Sequence, residues 1–170
     1  MCREIYWTQW SSDEIFKAGM DGSNARVIVK GGLNYPEGIS VDVENSKIYW
    51  LQDGGDKVET ANFDGGERRV IVGTSADYDV DVFRGKVYWG DDSYRIRSCT
   101  LSGACGEGAI LSNTGGIALA IIHPEKQPQT RINNCATRGC SHICVLKGTN
   151  GAVCLCADGF TLGSDGISCS

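Results

Sequence analysis

Histidine and runs of basic residues are scarce in this 170-residue chain, and both absences exclude functions. Only two histidines occur, His123 and His142, which is too few for most hydrolytic or metal-dependent sites. None of the common catalytic signatures is present: no H-E-x-x-H, no G-x-S-x-G, no P-loop and no G-x-G-x-x-G. Lys and Arg number 16 against 21 Asp and Glu, so the net charge is −5. We therefore expect that the chain is not an enzyme and that it has no cofactor, no metal site and no nucleic-acid partner.

Long apolar segments are also missing. The longest, Ile117–Ile122, is far too short to span a bilayer. The start of the chain, "MCREIYWTQW", lacks the apolar core of a signal peptide. We therefore expect membrane attachment only through other parts of a longer parent protein.

Cysteine, in contrast, is abundant. Nine cysteines occur, and six of them lie between Cys135 and Cys169. This density predicts a disulfide framework formed in an oxidising compartment. Together with the missing export signal, it predicts that the sequence is a piece of a longer secreted or membrane-bound precursor.

A repeated pattern covers the first two thirds of the chain. The pairs Tyr6-Trp7, Tyr49-Trp50 and Tyr88-Trp89 are separated by 43 and 39 residues. A period in this range, with four short extended segments per unit, is typical of β-propeller blades. One full unit contains the strand-like segments "GISVDV", "KIYWL", "KVETANF" and "ERRVIV", with Asp-Gly hairpin turns between the later ones. The Tyr-Trp pairs are expected in the core between blades.

The order of these segments predicts three blades. With the strands of a blade labelled A to D from the inside outwards, the chain runs B-C-D, A-B-C-D, A-B-C-D. It then adds a lone strand A at Gly116–His123, which makes twelve strands and almost no helix. The alternative is an ordinary β-sandwich with chance similarity. We disfavour it because Tyr-Trp, Asp-Gly and an apolar pair recur in the same order.

These units resemble the YWTD (class B) repeats of the low-density-lipoprotein receptor family, although Gln9 stands where the signature Asp is expected. In that family six repeats form a six-bladed propeller, followed by an EGF-like module. "IIHPEKQPQTRINNC" resembles the segment that leaves such a propeller. The resemblance therefore implies blades in residues 1–132, the C-terminal half of a propeller, and an EGF-like domain in residues 133–170.

The cysteines of the second domain follow the spacing C-x4-C-x3-C-x9-C-x-C-x12-C, which alone allows 15 pairings. The EGF resemblance implies the disulfides Cys135–Cys144, Cys140–Cys154 and Cys156–Cys169. A zinc site around His142 is the alternative, disfavoured because no C-x2-C pair occurs. In the blades, Cys99 and Cys105 flank a predicted hairpin turn and are close enough to be bridged. Cys2 then has no assigned partner.

The resemblance implies a non-catalytic, extracellular module that binds a protein or peptide ligand, in an endocytic or Wnt co-receptor type of receptor. The alternative is a nidogen-like basement-membrane adhesion protein. A third interpretation makes the propeller an intramolecular clamp that governs ligand release. All three locate the module outside the cell, as a receptor ectodomain or a secreted protein.

Partners of such propellers dock on one rim, built from the D–A and B–C loops. By that resemblance the candidate ligand-binding residues are aromatic and acidic side chains in those loops: Trp10, Tyr35, Glu37, Asp53, Tyr78 and Asp91. An exposed aromatic ring flanked by carboxylates suits a short peptide with a basic or amide side chain. The sequence leaves open whether each residue instead packs on its own blade.

Three blades cannot close a ring. The simpler explanation is a fragment of a six-bladed propeller, with the other half supplied by the parent protein. The alternative is a twofold dimer, in which the strand at Gly116–His123 of each copy completes the first blade of the other.

Overall fold

The computed structural model describes residues 4–73, 77–103, 105–114, 118–126, 133–147 and 151–170. These residues form thirteen β-strands and no helix, which confirms the predicted all-β fold class. In particular, none of them belongs to a helix that could cross a membrane. The strands are β1 Glu4–Gln9, β2 Glu14–Gly19, β3 Arg26–Lys30, β4 Pro36–Asp42, β5 Lys47–Gln52, β6 Lys57–Asn62, β7 Arg69–Gly73, β8 Asp77–Phe83, β9 Lys86–Gly90, β10 Ile96–Thr100, β11 Ala109–Ser112, β12 Ile143–Lys147 and β13 Gly151–Leu155.

The first eleven strands form three consecutive sheets. The sheet orders are β1-β2-β3, β4-β5-β6-β7 and β8-β9-β10-β11. We call these sheets blades 1, 2 and 3. Blade 1 has the predicted B-C-D strands, and blades 2 and 3 have the predicted A-B-C-D strands. The repeat in the sequence therefore predicted the number, order and type of these eleven strands.

The chain forms two compact units. Unit 1 comprises Met1–Ile5, Lys17–Arg26 and Pro128–Ser170, and unit 2 comprises Tyr6–Phe16 and Val27–Gln127. The domain boundary expected after residue 132 adjoins residues outside the described ones and stays a prediction.

The core of unit 2 lies between successive blades. One cluster joins residues of blades 1 and 2, namely Ile15, Val29, Leu33, Ile48, Trp50 and Ala61. A second joins residues of blades 2 and 3, namely Tyr49, Leu51, Val58, Val72, Val80, Val82, Val87 and Trp89. Successive side chains of a strand point to opposite faces, so the adjacent Tyr49 and Trp50 enter different clusters. The Tyr-Trp pair of blade 2 therefore provides one ring for each neighbouring blade.

The predicted lone strand A at Gly116–His123 is wrong for the described residues 118–123, which have no regular secondary structure. The segment is held by side chains instead of a backbone ladder. Leu119 donates its amide to Asp79 Oδ2 at 2.8 Å, and Ile121 donates its amide to Asp81 Oδ2 at 2.7 Å. Carboxylates of β8 thus take the place that backbone carbonyls would occupy in a sheet.

Asp81 is the main anchor of this segment. Its carboxylate also accepts hydrogen bonds from Ser40 Oγ at 2.6 Å and from Lys126 Nζ. Burial alone would raise the pKa of Asp81. The hydrogen bonds from Lys126, Ser40 and the backbone outweigh burial, so the pKa lies below its usual range.

The EGF-like part of unit 1 is a two-stranded sheet with disulfides. β12 and β13 pair antiparallel, with Cys144 opposite Cys154. The disulfides present in the structure are the pairs expected above: Cys135–Cys144, Cys140–Cys154, Cys156–Cys169 and, in unit 2, Cys99–Cys105. Because these cysteines are bridged, no thiolate is left beside His142 for zinc. Cys2 lies outside the described residues.

Unit 1 also contains the turn between β2 and β3. In it Asp21 accepts hydrogen bonds from Ser23 and pairs with Lys147 of β12, whose Nζ lies 2.7 Å from Asp21 Oδ2. The hydrogen bond from Lys147 is the largest cause of a pKa of Asp21 well below its usual range. One ion pair therefore joins the EGF-like sheet to this turn.

Candidate ligand-binding rim

Two exposed aromatic rings meet at the loops around the start of blade 2. Trp10 lies in the loop between β1 and β2, and Tyr35 directly precedes β4. Their ring centroids are 5.2 Å apart, with 30° between the planes. Trp10 is 58% exposed and Tyr35 is 44% exposed. The structure thus brings together two of the predicted site residues and leaves both accessible.

The backbone of Tyr35 is fixed from both sides. Its φ is 50°, in the left-handed region that a tyrosine rarely occupies. Its amide donates to Asp13 Oδ1 at 2.8 Å, and its carbonyl accepts the amide of Asp53 at 3.1 Å. One bond comes from the loop of blade 1 and the other from the loop of blade 2. The backbone position of Tyr35 is therefore set by tertiary hydrogen bonds.

A buried polar network supports the loop before Tyr35. The side-chain oxygen of Gln52 accepts the amide of Asn34 at 2.7 Å, and the Gln52 amide group donates to Glu59. Glu59 also pairs with Arg68 at 2.7 Å, and Arg68 donates to the carbonyls of Gly31 and Gly32. The buried carboxylate of Glu59 below the rim is thereby paired, which avoids the cost of an isolated buried charge.

A second aromatic pair lies at the start of blade 3. Tyr78, near the beginning of β8, stacks on Tyr94 with centroids 5.8 Å apart and 17° between the planes. Tyr78 has φ 76°, and its amide donates to Glu37 Oε2 at 3.2 Å. Glu37 therefore holds Tyr78 in place, in the way that Asp13 holds Tyr35.

Tyr94 was missed by the sequence reasoning. It is 55% exposed and lies in the loop between β9 and β10, the counterpart in blade 3 of the loop that carries Trp10. Its aromatic side chain in a B–C loop could have identified it as a candidate. Asp91 was chosen from the same loop instead, because it directly follows the Tyr-Trp strand.

Asp91 is fully buried and is not available to a partner. Its Oδ2 lies 2.8 Å from Arg95 Nε and 2.6 Å from Arg97 Nε, and its Oδ1 accepts the amides of Ser93 and Arg95. Burial would raise the pKa of Asp91, but the bonds from Arg97 and Arg95 outweigh it and lower the pKa. Asp91 therefore shapes the loop from inside, because two guanidinium groups and two amides occupy its oxygens.

Asp53, in contrast, is exposed in the loop between β5 and β6. Its amide bonds to Tyr35, whereas no salt bridge within the described residues involves its carboxylate. The predicted site residues thus divide into exposed ones (Trp10, Tyr35 and Asp53), a half-buried ring (Tyr78) and two carboxylates that organise the loops (Glu37 and Asp91). The described part of the chain contains no group of three or more acidic, histidine or cysteine residues suited to a metal ion.

Comparison with known proteins gives two family matches. Residues 3–43 match the profile described as "Low-density lipoprotein receptor repeat class B". Residues 131–169 match the profile described as "Coagulation Factor Xa inhibitory site". The first match covers blade 1 and all of β4, and the second covers the six cysteines of the EGF-like part.

Similar curated proteins are receptors. The chain is 30% identical to the vitellogenin receptor Yl of Drosophila melanogaster and 28% identical to the vitellogenin receptor of Solenopsis invicta. These alignments cover 97% and 98% of the chain but only 9% and 10% of the receptors. It is 33% identical to the sortilin-related receptor of Oryctolagus cuniculus over 85% of the chain and 6% of that receptor. The chain thus spans about a tenth of the relatives or less.

Among solved structures, the chain resembles one from a crystal structure of a nidogen–laminin complex. The TM-score is 0.59 at 29% sequence identity, over 65% of this chain and 44% of the other. The β-propeller interpretation of the blades is therefore supported by sequence, by sheet order and by structural likeness.

Proposed function

Because the chain carries low-density lipoprotein receptor class B repeats in a β-propeller fold, we propose that it is an extracellular, non-catalytic ligand-binding module of a receptor of that family. The similar curated proteins support this role, since the two vitellogenin receptors and the sortilin-related receptor are all receptors. Two are vitellogenin receptors, which favours an endocytic type over a Wnt co-receptor. As a module of such a receptor, it would lie in the ectodomain.

The observation that carries the proposal is the Trp10–Tyr35 pair. Both rings are exposed, yet the Tyr35 backbone is held by Asp13 and Asp53. A pre-positioned aromatic pair loses little conformational entropy when a partner covers it. Tryptophan and tyrosine are also the residues that contribute most often to binding energy at protein interfaces. The loop with the exposed Asp53 is bonded to the Tyr35 backbone, so it supplies a carboxylate close in the fold to these rings.

The test is binding of purified vitellogenin to the immobilised 170-residue chain. We expect Trp10→Ala to weaken binding by about 10- to 30-fold, roughly 1.4–2 kcal/mol. Phe160→Ala is the matched control, because Phe160 is an aromatic residue of the EGF-like part that is 52% exposed. Equal affinity for the Trp10→Ala variant and the unchanged chain would rule out the rim as the binding site.

A nidogen-like adhesion role is the second candidate, favoured by the structural likeness to a chain of the nidogen–laminin complex. Purified laminin in place of vitellogenin separates the two candidates. Binding of laminin but not vitellogenin would support the adhesion role, and binding of neither would contradict both.

A twofold dimer is a separate proposal about partners. It rests on the exposed end faces of the blades and not on strand exchange, because Leu119 and Ile121 bond to β8 of their own chain. The outer faces of blades 1 and 2 bury Val29 and Val72 against the next blade, whereas Leu111 of blade 3 is 56% exposed. At the other end Trp7 is only half-buried. A second copy would cover both faces. Light scattering on the purified chain checks this, and a well-folded monomer would contradict it.

A further inference from the structure

The two aromatic pairs are built in the same way in successive blades. Each centres on a tyrosine that starts a blade with positive φ, Tyr35 at 50° and Tyr78 at 76°. In each case the tyrosine amide donates to a carboxylate that precedes it in the fold, Asp13 or Glu37. Each tyrosine ring then contacts one further exposed ring, Trp10 or Tyr94.

Contacts connect these residues into one row within unit 2. Trp10 contacts Tyr35, and the carbonyl of Tyr35 accepts the amide of Asp53. Glu37 follows Tyr35 by two residues in β4 and bonds to Tyr78, which stacks on Tyr94. We call Trp10, Tyr35, Asp53, Tyr78 and Tyr94 the aromatic row. It crosses from the loop of blade 1 to the loop of blade 3.

The middle of the row is acidic. The loop of blade 2 has no aromatic residue and instead exposes Asp53 and Asp56. Within the described residues neither takes part in a salt bridge, whereas the cations Lys57, Arg68, Arg95 and Arg97 are paired with Glu59 or Asp91. The accessible charge between the two aromatic pairs is therefore negative.

We propose that the aromatic row binds a single extended protein segment that carries two bulky apolar side chains with a lysine or arginine between them. This inference rests on the proposed function and adds to it the second pair, Tyr78 and Tyr94, and the chemistry of the ligand. Each aromatic pair takes one apolar side chain, and Asp53 faces the basic one. Complementary charge at the centre selects the ligand and its register.

The two pairs act as two anchors for one ligand. Once one side chain is bound, the other is held near its own pair at a high effective concentration, so loss of either pair weakens binding strongly. An extended chain advances about 3.3 Å per residue. A separation of about three to seven residues between the apolar side chains therefore spans roughly 10 to 23 Å.

The probe is a set of synthetic peptides in which two leucine or tryptophan residues flank one arginine at separations of about three to seven residues. Matched peptides lack one apolar residue or carry glutamate in place of arginine. We expect the best two-anchor peptide to bind the chain about tenfold or more tightly than either matched peptide. Failure of the whole set to bind preferentially would overturn the proposal.

Variants of the chain locate the two anchors. Trp10→Ala and Tyr94→Ala are each expected to lower the affinity for the two-anchor peptide by about tenfold or more. Tyr94→Phe keeps the ring and should keep the affinity. A peptide with one apolar residue should lose less affinity when either residue is replaced. Phe160→Ala is again the control.

The outcomes separate this inference from the proposed function. If Trp10→Ala weakens vitellogenin and peptide binding but Tyr94→Ala does neither, the rim binds ligand with one anchor and the two-pair inference is wrong. If neither change has an effect on either probe, the rim is not the binding site and both proposals fail.

Discussion

Blade 1 and blade 2 contain the same Tyr-Trp pair in very different surroundings. Trp50 of blade 2 is 0% exposed and packs in the cluster with Ile15 and Val29 of blade 1. Trp7 of blade 1 is only half-buried and stacks on Phe16 of its own sheet, with centroids 5.3 Å apart. The local sequence determines the strand, whereas the preceding blade determines whether the tryptophan becomes core.

The largest expected effect comes from removing these two rings. Trp50→Ala should lower the free energy of unfolding by about 3–5 kcal/mol, because it leaves a cavity between two blades. Trp7→Ala should lower the free energy of unfolding by less than about half as much, since the Trp7 ring already contacts solvent. Urea unfolding followed by circular dichroism gives both values. Equal losses would show that Trp7 is as well packed as Trp50.

The next comparison is between the buried polar residues below the loops of blades 2 and 3. Gln52 and Asp91 each stand two residues after the tryptophan of their Tyr-Trp pair, and both are fully buried. Asp91→Asn should lower stability by about 3 kcal/mol, because it leaves Arg97 without its buried partner. Asp53→Asn in the exposed loop of blade 2 is the control and should change stability by less than about 0.5 kcal/mol.

The pH dependence sharpens this second comparison. The pKa of Asp91 is lowered in the folded chain, so its contribution is complete above its unfolded pKa of about 3.9. It is lost as the pH falls below about 4 towards the lower folded pKa. Thermal unfolding of the unchanged chain and of Asp91→Asn should therefore converge in acid. Curves that stay parallel down to the acid limit would contradict an ionised, paired Asp91.

The smallest expected difference concerns the Asp-Gly turns of blades 1 and 2. Gly22 and Gly65 both have positive φ, 79° and 89°. A Cβ at Gly65 would overlap the carbonyl oxygen of Ile28, whereas none of the described atoms lies within 4 Å of one at Gly22. Gly22→Ala should lower the free energy of unfolding by about 1 kcal/mol, from backbone strain alone. Gly65→Ala should lower it by about 2–3 kcal/mol, because the overlap with Ile28 adds to the strain. Calorimetry of both variants decides whether the overlap adds to the strain.

Sequence reasoning recovered the elements whose pattern is local. The 43- and 39-residue periods predicted three blades in the correct strand order, because alternating apolar residues and hairpin turns are visible within a few positions. It failed for the described residues 118–123 of the predicted strand at Gly116–His123, whose apolar pattern looks like a strand. Leu119 and Ile121 bond instead to the carboxylates of β8, and such long-range bonds leave no local signal.

The candidate site stays a prediction, and its geometry could be predicted less completely for the same reason. Trp10 and Tyr35 were predicted from their loops, and the structure brings them into ring contact. The burial of Asp91 depends on Arg95 and Arg97 folding back over it, which the sequence does not show. The contact of Tyr94 with Tyr78 likewise depends on how two loops of blade 3 meet.

The left-handed backbone of Tyr35 and Tyr78 has a consequence for sequence change over evolutionary time. A side chain held at positive φ costs about 1–2 kcal/mol, and glycine would remove that cost at either position. Selection for stability alone would therefore favour glycine or asparagine there, and only selection for the rings maintains tyrosine. Lineages that stop using the rim should lose these tyrosines early, while the Tyr-Trp pairs of the core persist.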